Sequence, residues 1–397
     1  MKFLVEKLSS IDRLSIITFS SDADRLCPLT RMHKDGQAKV EDLINNLRAD
    51  GQTNITRGLQ EALRVLVQRR QRNGRTSAIM LISDGELSSR CDHPSTVDVS
   101  GVPVFTFGLG KDHDIQVLQD IASRSDNGTY SIADVEGSDS ASLTIAISSC
   151  DRTITQLGSD IQDVRVGNYE QTRDNESVTI SFGNLYNREK RKTTLFLSLL
   201  AVEEQTAIDI LKVTLSYRPS GGRTLLIKHS PITVTLDRTS SPVTVDPVEV
   251  DNEIARGDTA AGMQMARKQA DANDFEGAKK TLDNAEKSLD HLNHEADELI
   301  KALKYEVQEF LRLLKDPETY LREGHAFALS SELSHNRQRF AARGDATQLL
   351  ALAIPLVVLF ANQAIEFEKN VEVRQQNNSN NIKNIASNWT VDDVEDD

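Results

Sequence analysis

A chain of 397 residues has room for two or three domains, and 38% hydrophobic with 27% charged residues is the balance of a packed, water-soluble protein. The net charge of −14 and pI near 5.1 argue against a nucleic-acid or anionic-membrane surface, since such surfaces need clustered Lys and Arg. Cys27, Cys91 and Cys150 are odd in number and widely spaced; they fit neither a disulfide framework nor paired zinc knuckles, and predict reduced thiols in an intracellular, cytoplasmic setting.

Met1 to Lys7 is too short and too charged for a signal peptide, so the Asn-x-Ser/Thr matches at Asn54, Asn127, Asn175 and Asn388 read as chance. Leu14 to Phe19 reads as a strand with a hairpin partner in Leu26 to Met32, joined by a turn that Asp22 and Asp24 polarise. A helix is expected from Gln37 to Arg48. After the Asp50–Asn54 loop comes a second helix with Leu59, Ala62, Leu63 and Leu66 on one face, closed by the basic cluster Arg69, Arg70, Arg72 and Arg75. Ser77 to Ser83 is an almost continuous apolar run, which predicts a parallel strand buried on both faces. Val102 to Gly108 repeats it, followed by a helix from Ile115 to Ser123 and a strand near Thr129 to Ile132. Strands alternating with helices predict an open α/β sheet, whose ligands sit at the C-terminal strand ends, where the loops of Thr53 and Asp84 fall.

From Asp160 to Arg238 the apolar period becomes two, with turn residues such as Pro219 to Gly222, and an antiparallel β-sandwich is expected. Ser240 to Pro247 reads as a linker. Val248 to Leu314 reads as helical with a break near Asn273-Asp274. Phe275, Ala278, Leu282, Ala285, Leu289, Leu292, Ala296, Leu299 and Leu303 follow steps of three and four, a coiled-coil seam that folds back as a hairpin or joins a second copy. The apolar run Leu349 to Ala361 is too short to span a bilayer and is broken by Pro355, so a buried or interfacial helix is preferred over a membrane span. Beyond Asn377 the Asn-rich acidic tail reads as disordered.

Asp12 to Ser20, the Gly51 to Ile55 loop, Leu81 to Gly85 and Phe105 to Gly108 together resemble a von Willebrand factor A (vWA) domain. Gly324 to Ser331 and Ser334 to Asp345 resemble the closing signature of plant vWA proteins that carry a C-terminal Vwaint region. The resemblance implies residues 1–152 as a vWA domain with a Rossmann-like open sheet. A sandwich at 160–240, a helical Vwaint region at 248–345, and a foreign apolar segment and tail at 346–397 would follow. It also implies a metal-ion-dependent adhesion site, usually for Mg²⁺, in which Thr53 and Asp84 match the threonine and the later aspartate. The Asp-x-Ser-x-Ser element has no counterpart; Asp98 to Val102 is the nearest string and reads as a turn. Met1 to Leu8 resembles the end of the helix after the strand that carries that element. The expectation is therefore an N-terminally truncated vWA sheet lacking its central strand, with Leu14 to Phe19 and Ala78 to Ser83 left without their usual neighbour.

A weak, remnant site and no confident cofactor follow, because Mg²⁺ demands near-octahedral oxygen coordination. The leading functional expectation is a non-enzymatic scaffold that binds a protein partner presenting an acidic group, with homo-oligomers through the helical region. The alternative is a piece of a RING-type ubiquitin ligase, since plant relatives carry such a finger and the cysteines here cannot build one. Histidines 33, 93, 113, 291, 294 and 325 form no metal-binding pattern. Asp114 reads as a helix cap, and Gly108-Leu109-Gly110 as a strand-end turn lacking the third glycine of a dinucleotide fingerprint.

Overall fold

The computed structural model describes residues 1–48, 51–69, 77–88, 92–133, 145–186, 189–199, 206–219, 226–238, 248–292 and 297–343, with isolated positions between 349 and 367. Arg70, Arg72 and Arg75, Cys91, the Ser220–Gly222 turn, the 240–247 linker, His294, Ala296, most of the apolar run and the Asn-rich tail lie outside the described residues.

The first unit runs α1 (Lys2–Lys7), β1 (Arg13–Leu14), β2 (Ile17–Phe19), β3 (Ala23–Arg25), β4 (Thr30–Arg31), α2 (Lys34–Asn45), α3 (Ile55–Gln68), β5 (Ile79–Ser83), β6 (Val104–Leu109), α4 (Ile115–Arg124) and β7 (Tyr130–Ala133). The hairpin is split: β1 pairs with β4, and β2 with β3, where Asp22 accepts from the Ala23 amide at 2.9 Å in the turn. β5, β6 and β7 form a parallel sheet in that order. Asn54 and Asp114 cap α3 and α4 by accepting from Arg57 and Val117, each at 3.1 Å, which satisfies amides that a helix start leaves without partners. Both helices pack on the sheet through Ile55, Leu59, Leu118 and Ile121. One expectation fails here. β5 is not buried on both faces: Ile79 and Leu81 face the core, whereas Met80 is 38% exposed. Its alternate side chains are apolar, but among the described residues β5 is the edge of its sheet, and Met80 lies outside the core cluster that takes in Ile79 and Leu81. Asp98 to Gly101 forms the expected turn, with Asp98 accepting from the Ser100 amide and Gly101 at φ +76°.

The sandwich begins before residue 160. Its central strand is β8 (Ile145–Gln156), which crosses the boundary expected at residue 152. β9 (Ser159–Arg165), β10 (Glu170–Arg173), β11 (Ser177–Tyr186), β12 (Thr194–Leu199), β13 (Thr206–Pro219), β14 (Ile227–Lys228) and β15 (Ile232–Arg238) follow. All pairings are antiparallel: a larger sheet in the order β10-β11-β8-β13, with β14 and β15 along the far side of β13, and a smaller one of β12 and β9. Ile154, Ile180 and Phe182 of the larger sheet meet Ile161, Leu195 and Leu197 of the smaller.

α5 (Val248–Asp271) and α6 (Phe275–Asp290) form an antiparallel hairpin turning at Asn273, which takes φ +64°, the left-handed region that asparagine tolerates. The expected seam does not continue as one helix. α6 ends at Asp290 and α7 (Glu298–Leu313) starts afresh behind the Asp297 cap, so Leu303 returns to the same core as Ala278, Leu282 and Leu289. The residues that an intermolecular coil would use are thus largely buried within this chain. A short turn, α8 (Pro317–Thr319), and a π-turn at Tyr320–Gly324 lead into α9 (His325–Asn336). Every residue of α9 from Ala326 to His335 is buried.

Candidate functional site

Thr53 and Asp84 do come together. Asp84 is exposed directly after β5, and Thr53 lies in the loop before α3. The Ser88 amide donates to the Thr53 carbonyl at 3.1 Å, and the Ser88 hydroxyl to Gln52 Oε1 at 3.1 Å. Gly85 permits the approach: a Cβ there would sit 2.8 Å from Thr53 Oγ1, inside van der Waals contact.

A third segment joins them that sequence reasoning missed. After β2, the Ser20 carbonyl accepts from the Asn54 amide at 2.8 Å and the Ser21 carbonyl from Asn54 Nδ2 at 3.3 Å. Gly51, at φ +81°, passes so close that a Cβ would lie 3.3 Å from both the Ser20 and Ser21 hydroxyls. Serines carry no spacing signal of their own; the one available signal was their position after a strand, like that of Asp84. The face therefore brings the Ser20–Ser21, Gly51–Asn54 and Asp84–Ser88 segments together at the N-terminal end of α3, whose dipole favours negative charge.

The donors do not fit a resident Mg²⁺. One threonine hydroxyl and one carboxylate leave most of an octahedron to water. Among the described residues no three His, Cys, Asp or Glu side chains gather as a metal-binding group. His113 is instead a core residue, bonded to Tyr130 Oη at 2.6 Å and to the Gly110 carbonyl at 2.9 Å, and burial pushes its pKa below the usual imidazole value.

A second, buried constellation surrounds α9. The chain after it, 337–343, lies between all three units. Arg337 donates to Asn127 Oδ1 at 3.0 Å and the Ser123 carbonyl at 3.1 Å. Arg339 makes two bonds to Glu189, at 2.7 and 3.0 Å, reaches the Asn127 carbonyl, and places its guanidinium over the Phe105 ring of β6. Arg191 bridges Glu189 and the Tyr169 hydroxyl, which donates to the Arg337 carbonyl. The Ile132 amide donates to the Ala342 carbonyl at 2.9 Å, and Arg343 bridges in parallel to Ile132, adding a rung to the free side of β7. Behind these, Glu306 of α7 accepts from His335 Nε2 at 2.7 Å and from Arg343.

Comparison with known proteins matches these units. Residues 1–143 fit the model of the von Willebrand factor type A domain, and 297–364 that of the VWA / Hh protein intein-like region. The chain carries a vWA domain. Its Vwaint region includes Glu306, His335, Arg339 and Arg343, so the closing signature recognised in the sequence is the buried junction. The E3 ubiquitin-protein ligase WAVH1 of Arabidopsis thaliana is 28% identical over 34% of this chain, and WAV3 of the same plant 34% identical over 22%. The matches span 20% and 12% of those relatives. A von Willebrand factor type A protein from Catenulispora acidiphila superimposes with TM-score 0.57 at 15% identity, over 84% of this chain and 82% of that one, a likeness of fold. Among the described residues no helix is long and apolar enough to cross a membrane.

Proposed function

We propose that the chain is a non-catalytic protein-interaction scaffold whose vWA face, centred on Thr53 and Asp84, receives a partner. The observation that carries this is the locking of three loops by Asn54 and Ser88, which holds the Ser20–Ser21, Thr53 and Asp84 segments in a fixed arrangement beside the start of α3. Preorganised donors lose little freedom on binding. Hydroxyl donors at a helix start suit an acidic or carbonyl group on the partner, with the sandwich and helices presenting the face.

Asp84 makes the reading testable, because its charge acts with opposite signs in two mechanisms. If hydroxyls and the helix dipole hold the partner's acidic group, Asp84 repels it. Asp84→Asn then strengthens binding by about two- to fivefold, and chelator changes nothing. If a divalent cation mediates the contact, Asp84→Asn and EDTA both weaken it. Titrating a candidate partner's acidic peptide against both forms, with and without EDTA, separates the two; binding insensitive to Asp84→Asn and Thr53→Ala together would remove the face from the account.

The likeness to WAVH1 and WAV3 supports a second reading, that this vWA region recruits substrate for a RING-type ubiquitin ligase. On that reading the polypeptide of this sequence shows no autoubiquitination by itself and competes with a full-length ligase for its substrate.

A further inference from the structure

The two ends of the larger sheet differ. β10 at one end reads Glu-Gln-Thr-Arg, fully exposed and charged at both termini, the kind of edge that resists pairing. β15 at the other reads Ile-Thr-Val-Thr-Leu before its first charge at Asp237. Among the described residues β15 pairs only with β13, so its outer backbone edge is open. Ile232 and Val234 lie opposite Val213 and Leu211, and residues opposite one another in a ladder share a face. Leu211 on that face is buried in the sandwich core, yet Ile232 is 62% exposed, Val234 38% and Leu236 36%. No residue of β15 joins the sandwich core cluster, which leaves strong strand formers unguarded.

We propose that β15 is a homotypic docking edge, on which a second copy of this chain pairs antiparallel about a two-fold axis through Val234, joining the two larger sheets. The strand's own order selects this occupant. In that register Ile232 faces Leu236 of the second copy, Thr233 faces Thr235, and Val234 faces itself. One face is then wholly apolar and the other carries hydroxyls. Asp237 falls opposite Pro231 and Arg238 opposite Ser230, so no like charges are opposed. A shift by one residue in either direction sets Ile232, Val234 and Leu236 against threonine, Pro231 or Asp237. The contact is isologous and closes at two copies. A single strand pair buries less than a standard interface, so the association is weak and concentration-dependent, with Kd on the order of 10 μM or above.

Sedimentation equilibrium of the full chain across the micromolar range reads this directly. Val234→Lys, which opposes two ammonium groups at the axis, is expected to weaken dimerisation at least about tenfold while leaving circular dichroism and the melting midpoint unchanged. Val234→Cys adds a positional readout. It alone faces its own copy, so a disulfide-linked dimer forms on mild oxidation, whereas Thr235→Cys, facing Thr233, does not self-link. A wild type that stays monomeric throughout, a Val234→Lys dimer of undiminished affinity, or equal cross-linking of the two cysteine variants would each overturn the assignment.

Discussion

Glu306 has no exposed surface, and its two oxygens are divided between His335 at 2.7 Å and Arg343. Burial by itself would raise its pKa; the adjacent Arg343 and His335 outweigh that and hold the carboxyl at about 2. Burial pushes His335 below its ordinary 6.5 despite the neighbouring Glu306, so the imidazole is neutral and donates through Nε2. Both folded-state values lie below the unfolded ones, and both contributions are therefore present at high pH and lost on acidification. That of His335 declines as pH falls below about 6.5, and that of Glu306 as pH falls from about 4.5 towards 2. Glu306→Gln keeps the shape but strands the Arg343 charge in the interior, which costs roughly 3–5 kcal/mol. Urea midpoints at pH 7.5, 5.5 and 3.5 are expected to fall stepwise in the wild type and to lose the lowest step in the variant. A wild-type profile flat from 7.5 to 5.5 would show that His335 is not a neutral donor.

α9 is buried on every side from Ala326 to His335, and its surroundings explain why it was the least legible helix. A helix buried all round has no polar face, so periodicity gives no orientation. The stretch stood out as a family signature, while its place at the centre of the molecule stayed hidden because its contacts, Ser330 to the Tyr130 carbonyl and Tyr169 to Arg337, cross more than 150 residues of sequence. Local signals served better. Asn54, Asp114 and Asp274 cap the helices that follow them, and the strand ends located the Thr53 and Asp84 loops. The three-and-four pattern from Phe275 marked the residues that pack in the hairpin with α5, but gave no sign of the break between α6 and α7. The end of α9 supplies this scale's prediction. Gly167 takes φ +71° and the Asn336 carbonyl lies 2.2 Å from where a Cβ would be, a backbone contact that cannot swing aside. Gly167→Ala is expected to destabilise the fold by about 1–3 kcal/mol, read as a lower urea midpoint at unchanged slope.

Across the whole molecule, α9 lends Leu329 and Leu333 to the vWA core, whereas the sandwich, whose core holds only its own residues, is tied to both by guanidinium groups. Arg339 is the strongest coupler: it pairs with Glu189 of the sandwich, bonds the Asn127 carbonyl after α4, and covers Phe105 of the parallel sheet, while its own backbone belongs to the Vwaint region. Both members of the Arg339–Glu189 pair are only 5% exposed, so solvent screens them little. A pair of this kind adds modest net stability, yet loss of one partner is costly because the other charge stays buried. Arg339→Met preserves much of the side-chain volume and removes the bonds to both neighbours at once. The wild type is expected to unfold in one calorimetric transition, and Arg339→Met in two, the sandwich separating from the vWA unit. Limited proteolysis of the variant would then release a vWA-containing fragment under conditions that leave the wild type intact. If the midpoint falls while a single transition persists, Arg339 contributes stability without coupling, and the junction must be held by Arg337 and the 342–132 rung.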